Sequence, residues 1–231
     1  MSEAPAVIRS ADTGTSIGSA DPTFRTIDEL AERCGHYCWI EYRLFALTGR
    51  LASAPRSDAN VASHTESAAD AVSGAHDSEI RVLLSEMASH HAFLAGQWRD
   101  RLPVRAGIDP DALVVPPPGP VEVALDLLGA EPEARVVLSG LVVQLLPRLL
   151  AAYEDDAAHA SAVSEAPVLG LLELAHFRLT QEIRDGRILL GRGSGEGSGR
   201  GSGSKKVADF GSALQQVLGV GIDIVPAARA S

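Results

Sequence analysis

The chain is poor in cysteine, in aromatic residues and in clustered positive charge, and each shortage removes a class of function. Its 231 residues include two cysteines, 4% aromatics and 45% hydrophobic residues. The cysteines stand four apart in Cys34-Gly-His-Tyr-Cys38, so they close no loop and imply no oxidising compartment. Twenty Lys and Arg face thirty Asp and Glu, a formal charge of -10, and no basic stripe is present to neutralise the phosphates of a nucleic acid. No run of about 18 apolar residues marks a membrane helix. The stretch MSEAPAVIRSADTGTSIGSADP has no apolar core flanked by positive charge, so it does not read as a secretory leader. These features predict a cytoplasmic protein with neither nucleic acid nor membrane as partner. No nucleophile elbow, phosphate-binding glycine loop or zinc spacing is present.

What is present is helical periodicity broken by proline and glycine. Residues 1–24, rich in Ser, Ala, Gly and Thr, have the composition of a disordered segment. Thr26-Ile-Asp-Glu29 matches the capping box and should start a helix that runs to about Ala52. A polar loop, 53–74, is expected before a second helix from Ala75 to Leu102. Its apolar stripe is Ile80, Leu83, Leu84, Met87, His91, Leu94 and Trp98. Pro103 ends that helix, and the proline-rich connection to Pro120 is extended enough to travel the length of a bundle. A short helix follows at Val121–Leu128, broken at Gly129. A third long helix, with Pro132 in its first turn, reaches about His159; VVLSGLVVQLLPRLL makes it apolar nearly all round and Pro147 should kink it. A fourth carries Val168, Leu172, Ala175, Leu179, Ile183 and Leu190 on one side.

Within the first helix the inward stripe is Cys34, Tyr37, Cys38, Glu41, Leu44, Phe45 and Thr48, which puts a carboxylate at a core position. An unpaired buried carboxylate costs several kcal/mol or stays protonated, so Glu41 needs a partner. Glu86 and His90, four apart on one face of the second helix, and Glu182 on the fourth lie at comparable levels. Tyr37, Tyr42 and Arg81 are alternative hydrogen-bonding partners. The cysteine pair, on consecutive turns, could form a disulfide only with strain, and core filling is the expected role. Glu173-Leu-Ala-His176 has the spacing of a metal-ligand pair but reads equally as a solvated helix face.

Two hairpins joined by a long crossover give the chain its resemblance to ferritin-like four-helix bundles, over residues 25–190. The blocks CGHYCWIEYRLFALTGRLA and LLSEMASHHAFLAGQWRDRLP are similar to those of bacterial members of unassigned activity. The resemblance implies an all-α, up-down bundle and a dinuclear iron or manganese centre. Glu41 then stands for the helix 1 carboxylate, Glu86 with His90 for the helix 2 pair and Glu182 for helix 4, with Asp185 where a histidine is usual. On helix 3 the matching level, Val137 to Gln144, has no carboxylate.

Two functional classes follow. One is a metal-dependent oxidase, hydroxylase or iron-handling protein; the other is a metal-free module acting through its surface or tail. A ferritin-like protein with a degenerate site, without an assigned substrate, stands between them. A homodimer through an apolar helix face fits such a bundle, though no sequence feature fixes the oligomeric state.

Residues 191–204, GRGSGEGSGRGSGS, have the composition of a flexible linker to a tail at 205–231. There VLGVGIDIV reads as a strand. VLGVGIDIVPAAR resembles the first strand of holo-acyl-carrier-protein synthases, which implies a magnesium-ligand role for Asp223, although the rest of such an enzyme is absent. A tethered peptide that packs on the bundle, or on a protein partner, is the alternative.

Overall fold

A computed structural model describes residues 25–54, 68–104, 107, 109–192 and 202–219. All regular structure among them is helical: α1 (Ile27–Ser53), α2 (Ala68–Arg99), a 3-10 turn (Pro110–Leu113), α3 (Val121–Ala130), α4 (Ala134–Gly140), a π-helical segment (Leu141–Leu145), α5 (Leu146–His159), α6 (Ala166–Arg192) and α7 (Ser202–Leu218). Residues 1–24 and most of the expected loop after α1 lie outside the described residues.

The capping box forms as expected. Glu29 N–H donates to Thr26 Oγ1 at 3.2 Å and Thr26 N–H donates to the Glu29 carboxylate at 2.6 Å. α2 begins at Ala68, seven residues earlier than expected, because the alanine-rich run around Gly74 favours helix more than the single glycine opposes it. α3 passes through Gly129 and stops at Glu131, whose backbone is extended ahead of Pro132, as proline demands of the residue before it. Pro132 therefore precedes the next helix instead of opening it.

The helix from 134 to 159 answers Pro147 with a π-helical segment. Proline has no N–H for the carbonyl four residues back, and its ring crowds that carbonyl. The chain widens over Leu141–Leu145 and resumes α-helix with Pro147 in the first turn of α5, where the missing donor costs nothing. This stretch, Ala134–His159, is long and apolar enough by composition to cross a membrane. Here it is a central helix: Val137, Leu141, Val142, Leu145, Leu146 and Leu149 are all fully buried.

Side-chain pairs set the helix directions. Cys38 meets Ala95 and Glu41 meets His91, so α1 and α2 run antiparallel. Arg33 meets Asp156 and Glu41 meets Tyr153, so α5 opposes α1. His90 meets Glu182 and Glu79 meets Arg192, so α6 opposes α2. Gly186 lies against Val142 and Arg135 donates to the Leu190 carbonyl, so α6 also opposes the α4–α5 helix. Of the expected inward stripe on α1, Phe45 is the exception, at 42% exposed.

The connection after α2 lies directly on α1. A Cβ on Gly35 would fall 2.0 Å from the Leu113 carbonyl oxygen, so only glycine lets the 3-10 turn seat there. Asp111 in that turn pairs with Arg99 at 2.5 Å. Gly35→Ala must displace backbone and should destabilise the protein by about 1–3 kcal/mol in urea denaturation. An unshifted midpoint would mean that the connection does not rest on α1.

Candidate functional site

At the middle of the molecule each of the four long helices contributes one polar side chain to a single buried cluster. Glu41 comes from α1, His91 from α2, Tyr153 from α5 and Glu182 from α6, and none is more than 3% exposed. His91 Nδ1 lies 2.5 Å from Glu41 Oε2, and the Tyr153 hydroxyl donates to Glu41 Oε1 at 2.5 Å. On its other side, His91 Nε2 faces Glu182 Oε2 at 3.4 Å. That second contact is an ion pair without hydrogen-bond alignment, and neither atom has another hydrogen-bond partner among the described residues. Glu182 Oε1 pairs with His90 Nδ1 at 3.1 Å, and Arg178 Nη1 stands 3.3 Å from His90 Nε2. A donor at Nε2 sets the His90 tautomer, leaving Nδ1–H to donate to Glu182. The polar chain thus runs from the half-exposed edge of α2 and α6 to Tyr153 in the core.

Burial alone would lower the His91 pKa, but the Glu182 and Glu41 carboxylates outweigh it and push it up to about 9. His91 is therefore an imidazolium at neutral pH, held between two carboxylates. Beside it stands an aromatic wall. The Tyr37 ring lies 4.9 Å from Trp98 and 4.6 Å from Tyr153, and Trp98 stacks on Tyr153 at 5.9 Å. Burial raises both phenol pKa values well above normal, and the carboxylates of Asp156 and Glu41 add to this for Tyr37 and Tyr153 respectively. The Tyr37 hydroxyl donates to Asp156 Oδ2 at 2.5 Å, and Asp156 also takes Arg33 and, at 2.7 Å, Arg25. This is a second buried ion-pair cluster toward the end of α5.

Of the expected site residues, the structure brings together Glu41 and Glu182. It does not bring Glu86 to them. Glu86 is exposed, and it lines a surface groove between α2 and α6 with Asp185, Val82 and Ile188. His90 shares that outward-leaning side and of the expected site residues meets Glu182, while His91, about 100° further round the helix, takes the central place. Asp185 pairs with its neighbour Arg184 at 2.9 Å. Asp223 lies outside the described residues. The expected partners of Glu41 also differ: Tyr37 turns to Asp156, Arg81 donates to the Ala54 carbonyl and Tyr42 is 38% exposed. The level of Glu41 on the third long helix is Tyr153, not Val137 to Gln144. Glu173 is exposed, and His176 pairs at the surface with Glu154 at 3.0 Å.

The residues that were missed left a trace in the sequence. His91 falls on the apolar stripe of α2, between Met87 and Leu94, where a histidine must be buried and therefore partnered. Tyr153 continues the inward stripe Leu146, Leu149. The cysteines pack as hydrophobes: burial raises the thiol pKa of Cys34 to about 12 and of Cys38 to about 11, so neither supplies a thiolate.

Among the described residues no three or more His, Cys, Asp or Glu side chains are arranged to hold a metal ion. A dinuclear iron or manganese centre needs about six ligands from four helices. Here Glu41, His91 and Glu182 are engaged with one another, and α5 brings a phenol where a carboxylate is required. The donor set does not fit such a centre. No protein-family model, curated protein or solved structure matches the chain.

Removing His91 would leave two buried carboxylates without the imidazole that lies between them. His91→Leu should cost about 3–5 kcal/mol in chemical denaturation. The pH dependence has a defined sign. A folded pKa of about 9, above the 6.5 of an ordinary histidine, means that stabilisation by His91 is complete below pH 6.5 and is lost as pH rises through 9. The buried His36 is shifted the other way, downward by its burial, and acts only below pH 6.5; the buried thiols, which ionise from about pH 8.5 in the unfolded chain and far higher in the folded one, withdraw stability only above about pH 8. Denaturation midpoints should therefore fall between about pH 6.5 and 8 in the wild type and not in His91→Leu; equal profiles over that range would show that His91 is neutral in the folded protein.

Proposed function

We propose that α1, α2, the α4–α5 helix and α6 form a ferritin-like four-helix bundle with a degenerate central site, and that the protein acts as a helical binding module rather than as an oxygen-activating enzyme. The helix directions support the bundle: two antiparallel hairpins joined so that α2 and α5 run parallel. A single observation carries the functional reading. The imidazole of His91 lies between Glu41 and Glu182, so the positive charge that a pair of core carboxylates requires comes from a side chain. A site neutralised in this way binds no second cation without first expelling a proton from a buried imidazolium.

One feature favours a second reading, a mononuclear site. Among the described residues His91 Nε2 and Glu182 Oε2 both find no hydrogen bond, and they lie 3.4 Å apart. That is close to the spacing of two ligands on one tetrahedral ion, about 3.3 Å. Glu41 on Nδ1 would then orient the imidazole from behind.

Elemental analysis after anaerobic loading with Fe(II), Mn(II) or Zn(II) and desalting separates these readings. The proposal expects less than about one tenth of an ion per chain, unchanged in Glu41→Gln. One ion per chain lost in His91→Ala would establish the mononuclear site, and two lost in Glu41→Gln would establish an oxygen-activating centre.

A further inference from the structure

The last described element, α7, is a helix where a strand-bearing tail was expected, and its docking site is built in a way that points to recognition. Val217 and Leu218 belong to this helix, and 220–231 lie outside the described residues. α7 rests on α3, α4 and the π-helical segment. Leu214 is fully buried, Leu218 is 1% exposed and Phe210 is packed against the core. With Lys206, these form a stripe at intervals of four: Lys206, Phe210, Leu214, Leu218.

Each part of the stripe meets a matching feature. The floor is Gly140, where a Cβ would fall 2.8 Å from Leu128, 3.1 Å from Leu214 and 3.1 Å from Phe210, so a larger residue would shut the groove. At one end the Lys206 ammonium is gripped by Glu131 at 2.8 Å and Glu133 at 2.9 Å. At the other end Arg148 Nη2 donates to the Gly219 carbonyl at 2.7 Å, satisfying a free acceptor at the helix C-terminus. Arg148 Nη1 is buried there and has no hydrogen-bond partner among the described residues. A lysine clamp, an apolar floor and a carbonyl cap read the direction of a helix as well as its face.

The connection is built of glycine, serine and charged residues. Residues 193–201, GSGEGSGRG, contain no apolar side chain. Its two ends also converge, since Leu190 touches Arg135 while Lys206 touches Glu131 and Glu133, all near the start of α4. A 17-residue helix is marginal alone in water, so α7 owes its helicity to the groove.

We propose that the α3–α4 surface is a helix-binding groove, occupied in cis by α7, whose ligand in trans is a partner's amphipathic helix with the pattern of a lysine followed by three apolar residues, each four apart. Tethering presents α7 at an effective concentration of roughly millimolar. A partner helix of the same intrinsic affinity is held off by that cis competitor, and any change that weakens α7 opens the groove. The groove lies apart from the Glu41–His91–Glu182 cluster, so the inference stands whether or not that cluster binds metal.

The test is fluorescence anisotropy with a labelled synthetic peptide, Ser202 to Gly219, titrated with the full chain. The wild type should bind it weakly and Leu214→Asp at least tenfold more tightly, while a peptide carrying the same Leu214→Asp change should bind neither. A Leu214→Asp chain that is folded by circular dichroism yet binds no better than the wild type overturns the proposal. Should that variant misfold, Lys206→Glu, at an exposed position, takes its place with an expected gain of about threefold. No gain there overturns the proposal equally.

Discussion

The imidazolium of His91 between two buried carboxylates is the interaction on which the rest of the structure depends. Through Glu41, Tyr153 and Glu182 it ties α2 to α1, α5 and α6, so a single side chain is linked to every long helix. Apolar contacts between helices tolerate a shift of a turn, because one leucine resembles another at the next ridge. A buried charge does not. Sliding any of these helices by one turn, about 5.4 Å, would leave a carboxylate or an imidazolium alone in a core of leucine and valine, at a cost of several kcal/mol. The cluster therefore acts on register more than on total stability, which the surrounding apolar packing supplies.

The second polar cluster applies the same constraint a few turns away. Asp156 on α5 gathers Arg25, Arg33 and the Tyr37 hydroxyl, fixing the start of α1 against the end of α5. Between the two clusters lie Tyr37, Trp98 and Tyr153, whose rings supply bulk while the two tyrosine hydroxyls reach the carboxylates on either side. Two anchored points on one pair of helices determine both their offset and their rotation, which one point could not.

How much of this was legible depends on the distance over which each feature acts. The Thr26 capping box, the proline-rich crossover and the apolar faces of the long helices are set by neighbours in sequence, and they appear close to where they were expected. The centre of the site was half legible. Glu41 stood out as a carboxylate on an apolar stripe, and Glu182 at the right level. The choice between His90 and His91 turned on a rotation of about 100°, which the Glu86–His90 spacing obscured and the stripe Met87, His91, Leu94 indicated. Tyr153 escaped because its register against Glu41 depends on where the third long helix begins and how far its π-helical segment turns it. Neither quantity is written in local sequence.

That same helix explains why α7 docks at all. Val136, Val137 and Leu138 are consecutive and all fully buried. Three successive residues span about 200° of a helix, more than the single stripe that a helix on the edge of a packed layer conceals. α2 and α6 cover part of this circumference. α3 and α7 cover more, with Leu128, Phe210 and Leu214 converging on Gly140. A helix apolar nearly all round was read as central, and it is central only because the C-terminal helix completes its enclosure. The apolar character of α4 and the amphipathic pattern of α7 are thus two halves of one feature, separated by some sixty residues of chain, and each accounts for what the other would otherwise leave exposed.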